Sequence, residues 1–478
     1  MSNLVYGVKD KPIWWKTILF AFQQVLAILA ATIVVPVIIN GNVANLIKDG
    51  DVTYTMHNMS QSAALLGAGV GTIVYLLFTK FKSPVFLGSS FAFLGSMTAA
   101  FAGAASASAG YLGLIIGAVM AGLVYVIISL IVKYAGVNWI SKVMPAAVIG
   151  PTVAIIGLSL SGNAIGDIFK GGVLVEKVIE GTPTMVSVCS PYIALLCGLV
   201  TLAVVIICSV YGKKMLKIIP FIIGICAGYA LAALFTVIGN AANIDALKVI
   251  NFSLFENMQW LPEFSFVHAI NGFGEVTNWG GFIATLAVAY IPVAFVVFAE
   301  HLADHKNISS IIGTDLTKDP GLHRTLLGDG VGSMAGAFFG GCPNTTYGES
   351  VGCVAISGNA SVVTIFTAAV ICIVAAFVAP FVTLLATIPS CVMGGVCISL
   401  YGFIAVSGLK MIQKVDLNKN YNLFTVSVIL IAGVGGMTLS FGDITITSIA
   451  CALILGILVN LLGSKAAKKE AKEEADKE

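Results

Sequence analysis

The sequence predicts an all-α polytopic membrane protein with fourteen membrane segments arranged as two inverted repeats of seven. The first observation is composition: of 478 residues, 58% are hydrophobic and 10% are charged, which is too apolar for a soluble chain of this size. The second is a series of fourteen apolar segments, most of them near the length of a membrane span. The third is the distribution of Lys and Arg, which collect in alternate connections between these segments.

The apolar segments fall into two groups of seven around one long connection. The first group lies near residues 17–40, 59–78, 83–97, 110–132, 139–160, 191–210 and 218–238. The second group lies near residues 280–305, 326–339, 340–358, 362–378, 381–403, 421–436 and 444–462. These boundaries predict a first repeat over 1–240, an extracellular connection over 241–279, a second repeat over 280–463 and a charged cytoplasmic tail over 464–478.

The positive charges predict the orientation of the chain. When the connections are assigned alternately from a cytoplasmic N-terminus, 21 of the 25 Lys and Arg residues lie inside and four lie outside. The positive-inside rule then predicts that both termini are cytoplasmic and that the protein is a multi-pass protein of the cell membrane. No cleavable signal peptide is expected, because the N-terminal residues through Lys16 are polar and no small-residue cleavage site precedes an apolar run.

Two segments at corresponding positions of the halves are interrupted by Gly and Pro. The third, SPVFLGSSFAFLGSM at 83–97, alternates its side chains like a short strand, and the tenth is GGCPNTTYGESVGCVAISG at 340–358. Irregular backbone at membrane depth is tolerated only where protein or an aqueous cavity satisfies it. The pairing therefore indicates an inverted-repeat transporter whose substrate site lies between the two broken segments.

Glu349 is the most unusual residue of the tenth segment. No Lys or Arg occurs between Arg324 and Lys410, so this carboxylate has no basic neighbour in sequence. An ionised side chain at the centre of a membrane helix costs about 2.5 kcal/mol or more, and such residues mark functional sites. We therefore interpret Glu349 as a site residue.

A second set of acidic residues lies at the end of the eighth segment. Glu300 is followed by His301, Asp304 and His305, and the four-residue spacings place Glu300 above Asp304 and His301 above His305 on a helix. Carboxylates removed from water favour their neutral form, so these acids suit a carrier that exchanges protons. A membrane-edge cluster remains an alternative for the histidines. Asp329 is expected to be a helix N-cap at the start of the ninth segment.

The ligand is expected to be small and planar. Backbone N–H groups around Leu87–Phe93 and Tyr347–Glu349 can donate to carbonyl oxygens, while carboxylates accept from N–H groups. A nucleobase has this pattern, and an amino acid or another polar metabolite remains open. A channel would conduct ions without a substrate, and an anion exchanger would offer a cationic site instead of two acids.

Several other chemistries lack support in the sequence. No Walker A, GxSxG or HExxH motif is present, so neither an ATPase nor another membrane enzyme is indicated. The ten cysteines lie mostly in apolar runs without CxxC spacing, which predicts neither a disulfide framework nor a metal site. We expect no cofactor beyond H⁺ as the coupling ion, no nucleic-acid partner, and the lipid bilayer as surroundings.

Four motifs together resemble one known family. LGSSFAF at 87–93, AEHLADH at 299–305, DPGLHRTLLGDG at 319–330 and PNTTYGES at 343–350 are similar to the nucleobase–ascorbate transporters, specifically their bacterial uracil permease branch. The resemblance implies a core domain and a gate domain, with short crossing strands in segments three and ten of the core. It implies proton-coupled uracil import by alternating access, and a homodimer is also considered.

The resemblance also implies roles for individual residues. Glu300 and Glu349 would accept hydrogen bonds from the N–H groups of uracil, and the backbone amides of Phe91 and Gly348 would donate to its oxygens. The implied substrate-binding set is Glu300, Glu349, Phe91, Gly348, Tyr347, Ala31 and Tyr401, with Tyr401 contributed by the gate. The implied proton-coupling set is Glu300, Asp304 and His305.

The chain departs from the family pattern at a few positions. Gln24 stands where many relatives have histidine, Ser350 replaces the usual asparagine, Ser357 replaces threonine, and Asp304 stands where some uracil carriers have histidine. The acid at Glu349 favours uracil, because purine and ascorbate members usually carry glutamine or proline there. A carrier of xanthine or another nucleobase is the alternative function.

Overall fold

A computed structural model describes residues 4–46, 59–136, 139, 144–179, 182–213, 215–441 and 444–475. The described part is mainly helical, as the composition predicts. The helices are α1 Trp14–Leu46, α2 Gln61–Phe78, α3 Leu94–Ala102, α4 Ala107–Ala135, α5 Ala146–Ser159, α6 Ser161–Asp167, α7 Pro191–Tyr211, α8 Met215–Ile218, α9 Pro220–Ala242, α10 Ser265–Glu275, α11 Trp279–Ile312, α12 Leu322–Gly340, α13 Gly348–Ser357, α14 Val362–Ala375, α15 Ala379–Ala386, α16 Ser390–Ile412, α17 Asn420–Val434 and α18 Ser448–Ala475.

Within the described residues, eight spans are long and apolar enough to cross a membrane. They are formed by α1, α2, α4, α5 with α6, α7, α9, α11 and α16. Helices α14 and α15 together make a ninth candidate, although they are bent by 84° at a short break. The chain is therefore a multi-pass membrane protein.

Three two-stranded antiparallel sheets complete the described elements. Strand β1, Leu87–Ser89, pairs with β4, Asn344–Thr346, although more than 250 residues separate them. The other two are local hairpins, formed by β2 Leu174–Ile179 with β3 Thr182–Ser187 and by β5 Leu439–Phe441 with β6 Ile444–Ile446. The β1–β4 pair joins the third and tenth predicted segments.

Several predicted boundaries are wrong. The predicted segment 381–403 is not one span, because α15 ends at Ala386 and α16 begins only after Pro389. Proline cannot supply the N–H that a continuous helix would need there. The predicted segment 139–160 begins as a helix only at Ala146, after Pro145, and residues 140–143 lie outside the described part. The connection 241–279, whose bounds stay a prediction, contains the helix α10.

Close packing of α2 against α12 supports the strand pair. A Cβ atom on Gly332 would lie 2.7 Å from the carbonyl oxygen of Gly71, so the two backbones approach too closely for a side chain. Small residues allow this approach between membrane helices. At the end of α12, Gly341 adopts a φ of +73°, which ends the helix and turns the chain towards β4. The glycines of these helices thus position the tenth segment.

Candidate substrate site

The paired strands β1 and β4 lie at the centre of the site. Leu87 is opposite Thr346 and Ser89 is opposite Asn344. Both strands are buried, and side chains of α2 satisfy part of their backbone: the Thr72 hydroxyl accepts from the Leu87 N–H at 2.9 Å. The predicted irregular backbone is therefore satisfied by protein, as membrane depth requires.

Each strand leads directly into the start of a helix. A short 3-10 helix, Phe91–Phe93, follows β1, and α13 follows β4 at Gly348. In the described part of the chain, the residues before these two helices, Ser90 and Tyr347, make no side-chain hydrogen bond to the helix start. N–H groups in the first turn have no partner within the helix, and they carry partial positive charge. The two starts therefore offer donors to an oxygen-bearing ligand.

A cavity of about 450 Å³ adjoins the start of α13. This volume lies in the range of small-molecule sites, about 300–1,000 Å³. Its charged and polar lining residues include Glu300, Asp304, Asn307, Glu349, Lys217 and Ser407. The cavity therefore brings together three of the acids that the sequence singled out.

One face of α11 supplies three of these residues. Glu300, Asp304 and Asn307 follow a spacing of four and then three residues, which places them on the same side of a helix. The Thr346 hydroxyl donates a hydrogen bond of 2.8 Å to Asp304 Oδ2 and so ties α11 to β4. Within the described part of the chain, the Glu300 carboxylate has neither a hydrogen-bond nor an ion-pair partner, which leaves it available to a ligand.

A second face of α11, about 100° around the helix from the acids and called the rear face below, carries the two histidines, both fully buried. His305 Nε2 lies 2.7 Å from the Tyr75 hydroxyl, and its Nδ1 lies 2.8 Å from the His301 carbonyl oxygen. His301 Nδ1 lies 2.7 Å from Asp329 Oδ2. The expectation that Asp329 caps a helix is wrong, because α12 begins at Leu322 and Asp329 lies inside it.

Three further predicted site residues, Phe91, Tyr347 and Tyr401, lie beside the cavity and do not line it. Phe91 and Tyr401 make an edge-to-face ring contact with centroids 6.0 Å apart, and Leu400 and Phe403 line the cavity next to Tyr401. The Tyr347 hydroxyl donates to the Ser89 carbonyl oxygen at 2.7 Å. It thus holds the two strand regions together.

Two further predicted positions are clear in the structure. Ala31 is buried in α1, one helical turn after Ala27, which lines the cavity. Gly348 lines the cavity and is exposed to it. Together with Glu349, Gly348 brings the first turn of α13 to the cavity wall.

Two departures from the family pattern contact each other. The Gln24 side-chain amide donates to the Ser350 hydroxyl and, at 3.3 Å, to the Ser350 carbonyl oxygen. The same hydroxyl accepts a hydrogen bond of 3.1 Å from the Phe86 N–H. The two substitutions therefore form one buried polar connection between α1, α13 and the segment before β1.

Sequence reasoning missed four polar residues of the cavity: Ser209, Lys217, Asn307 and Ser407. Asn307 could have been found, because it continues the helical spacing of Glu300 and Asp304. Lys217 lies in α8, far from the motifs in sequence, and no local pattern places it beside the acids. Among the residues searched, no group of His, Cys, Asp or Glu is arranged to hold a metal ion.

The whole sequence matches known transporters. A sequence model described as a permease family matches residues 15–441, about nine-tenths of the chain. The chain belongs to this family. The match confirms the resemblance to nucleobase–ascorbate transporters. As a permease, the protein is a membrane transporter of a small molecule and not an enzyme.

Several curated permeases are similar over nearly their full length. The uracil permease of Bacillus caldolyticus is 35% identical over 97% of this chain and 95% of its own length. The uracil permease of Bacillus subtilis (strain 168) is 33% identical over 97% of this chain and 96% of its own. The uracil permease of Escherichia coli (strain K12) is 34% identical over 97% of this chain and 94% of its own length.

Solved structures show the fold that this permease shares with distant transporters. The transmembrane domain of the cyanobacterial bicarbonate transporter BicA aligns with a TM-score of 0.55 and 15% identity over 94% of this chain and 98% of that domain. The murine Slc26a9 anion transporter in its inward-facing state aligns with a TM-score of 0.61 and 12% identity, over 95% of this chain and 69% of its own. At these identities the likeness concerns the fold alone.

Proposed function

We propose that this permease imports uracil together with protons by alternating access. The observation that carries the proposal is the convergence of Glu300 and Glu349 in one cavity beside the uncapped start of α13. Two carboxylate acceptors next to backbone donors match the N–H and C=O groups of uracil. The uracil permeases that are 33–35% identical over nearly the whole chain support the same substrate.

The proposed binding roles are those that the family resemblance implies, and the convergence of Glu300 and Glu349 supports them. Glu300 and Glu349 accept from the pyrimidine N–H groups, and the amides of Phe91 and Gly348 donate to its oxygens. Ala31, Tyr347 and Tyr401 complete the surroundings of the site. The Tyr347 hydroxyl is already bonded to Ser89, which supports a role in holding the strands in place.

Proton coupling is assigned to the acids of α11. Glu300 has its carboxylate on the cavity wall, where protonation can change together with substrate binding. Asp304 shares that wall, and His305 lies behind it as the proposed end of the proton route. H⁺ is the proposed coupling ion, and the proposal requires no metal or organic cofactor.

The finer architecture is also proposed. Fourteen segments form two inverted repeats over 1–240 and 280–463, joined by an extracellular connection over 241–279 and followed by a cytoplasmic tail over 464–478. The repeats contribute to a core domain, which contains β1 and β4, and a gate domain, which contains Tyr401. The pairing of β1 with β4, one from each half, supports this symmetry.

The proposed location is the cell membrane, with lipid around the spans, both termini in the cytoplasm, and two copies forming a homodimer. The cavity extends from Glu349 to Lys217, which the charge pattern assigns to the cytoplasmic side. This direction supports an inward-facing state.

The proposal is tested by uptake into proteoliposomes that contain the purified protein. Labelled uracil, thymine, cytosine, xanthine and hypoxanthine are compared, with and without an outside-acid pH gradient. We expect uracil to accumulate fastest and only with the gradient. Preferential xanthine uptake would favour the alternative function, and uracil uptake that ignores the gradient would remove the coupling claim.

A further inference from the structure

A second and much smaller cavity lies behind the strand pair, separate from the proposed substrate site. Its volume is about 10 Å³, and it is lined by residues of α4, α11, α12, β4 and the 3-10 helix Phe91–Phe93. The polar lining residues are Tyr125, Asp329, Ser333, Asn344 and Thr345. A site of this volume can hold one water molecule if two to four polar partners surround it.

Three buried oxygen atoms at this cavity have no hydrogen-bond partner within the described part of the chain. They are the Tyr125 hydroxyl, Asp329 Oδ1 and Asn344 Oδ1. These side chains are 4%, 1% and 1% exposed, so bulk water does not satisfy them. Asn344 Nδ2 donates to the Gly67 carbonyl oxygen at 2.8 Å, which leaves Oδ1 as the acceptor at the cavity. One water can donate to Asp329 and Asn344 and accept from Tyr125.

The other oxygen of Asp329 meets His301, and the hydrogen bonds of that imidazole indicate where protons lie. His301 Nε2 is 3.0 Å from the Thr325 hydroxyl, whose single proton is directed at the Leu322 carbonyl oxygen, also at 3.0 Å. A carbonyl only accepts, so both bonds exist together when Nε2 carries a proton and donates it to Thr325. His301 Nδ1 and Asp329 Oδ2, 2.7 Å apart, then share one further proton.

The surroundings of this hydrogen bond favour the shared proton on Asp329 over His301. With the proton on Oδ2 both partners are neutral, whereas an imidazolium beside a carboxylate would place two charges out of water. The His305 ring stacks on the His301 ring with centroids 3.9 Å apart, and the Tyr125 ring meets His301 edge to face at 6.2 Å. The titratable groups Tyr125, His305 and Asp329 contact His301 from α4, from its own helix and from α12, respectively.

We propose that Asp329 is a protonated acid that donates to neutral His301 and binds one water in the small cavity, as a second proton-holding site distinct from Glu300 and Glu349. Its proton stays in place during transport. The site is a positioning device: His301 directly follows Glu300, and Asn344 lies two residues before Thr346, which bonds to Asp304. It therefore fixes α11 and β4 behind the substrate cavity.

The test uses infrared spectroscopy of the purified full-length protein with ¹³C-labelled aspartate. The difference spectrum of wild type minus Asp329→Asn isolates the carbonyl stretch of Asp329. We expect a protonated-carboxyl band that remains between about pH 6 and pH 9. This range includes the pKa of a free histidine, about 6.5. It should not change on addition of uracil. A carboxylate band in its place, or loss of the protonated band within this range, would overturn the proposal.

The competing occupant of the small cavity is a sodium ion. Recording the same spectra in sodium chloride and in choline chloride tests for it. A sodium ion at these oxygens would require an ionised Asp329, so loss of the protonated band with sodium would also contradict the proposal. This readout does not depend on which substrate is carried. Its failure is therefore distinguishable from a failure of the proposed function.

A second arm compares Asp329→Asn with Asp329→Ala in uracil uptake, and this arm rests on the proposed function. The asparagine amide can donate to His301 and face the water, so this variant should retain at least about half of the uptake. Alanine removes both contacts from buried groups and should lower uptake about tenfold, the equivalent of about 1.4 kcal/mol. If both variants fold and lose uracil uptake to the same extent, the proposal that neutral Asp329 positions its neighbours would be contradicted.

Discussion

The cavity face and the rear face of α11 carry similar numbers of titratable side chains, but these side chains differ in their hydrogen bonding. On the cavity face, Glu300 has no partner in the described part of the chain and Asp304 has one hydroxyl partner. On the rear face, both ring nitrogens of His301 and His305 have hydrogen-bond partners. The carboxylates proposed to bind the substrate are left available, whereas the two histidines, including His305 at the proposed end of the proton route, are held in place by hydrogen bonds. Burial alone therefore does not identify the transport residues.

The largest expected effect comes from the cavity face. Glu300→Gln keeps the shape of the side chain but removes its charge and its capacity to exchange a proton, so we expect gradient-driven uracil uptake to fall by about 100-fold, as for loss of a charged hydrogen-bond acceptor. Uptake into proteoliposomes measures this. Glu256→Gln, at an exposed residue of the connection before α11, is the matched control. Full gradient-driven uptake by Glu300→Gln would contradict the assignment.

A smaller effect is expected at the contact between the cavity face and β4. Thr346→Val removes the donor to Asp304, which leaves a buried carboxyl group without that hydrogen bond. We expect uracil uptake to fall by about fivefold to 150-fold, since an unsatisfied buried group costs about 1–3 kcal/mol. Thr346→Ser restores the hydroxyl and should restore uptake. Uptake rates that are the same for valine and serine would show that the contact has no role.

The rear face should affect stability more than transport. Tyr75→Phe removes the hydroxyl that joins His305 to Ser83. We expect the free energy of unfolding to fall by about 1–3 kcal/mol. The uracil KM should stay within twofold of the wild-type value. Thermal unfolding in detergent and uptake kinetics measure the two quantities. A large change in KM with unchanged stability would reverse the distinction between the faces.

The smallest effect is expected from the connection between Gln24 and Ser350. A double-mutant cycle with Gln24→Ala and Ser350→Ala should give a coupling energy in uracil binding of about 0.5–1.5 kcal/mol, because the two side chains share a hydrogen bond. Binding of labelled uracil to the four purified variants measures it. Additive effects would show that the two departures act independently.

The sequence predicted the parts of this arrangement that depend on local pattern. The apolar runs predicted a multi-pass membrane protein, and the unpaired acids and Gly/Pro interruptions indicated Glu300, Glu349 and the segments that form β1 and β4. Helical spacing also placed Asp304 beside Glu300. Each of these signals lies within one segment, so no tertiary structure was needed to find it.

Other features depended on contacts between distant segments. Asp329 resembles a cap in sequence because it stands between glycines, but α12 begins seven residues earlier and packing pairs the carboxyl group with His301. Lys217 reaches the cavity from a short helix that no motif marks. The contact of Gln24 with Ser350 joins residues more than 300 positions apart. Composition and periodicity contain no information about such pairings.

The central claim is that Glu349 accepts a hydrogen bond from uracil in the cavity at the start of α13. Equilibrium binding of labelled uracil to purified wild-type protein and to Glu349→Gln tests it most directly, with thermal unfolding as the check that the variant is folded. We predict that the affinity of the folded variant falls by about 10-fold to 150-fold, the equivalent of about 1.5–3 kcal/mol for a hydrogen bond to a charged group. An unchanged affinity for uracil would contradict the account.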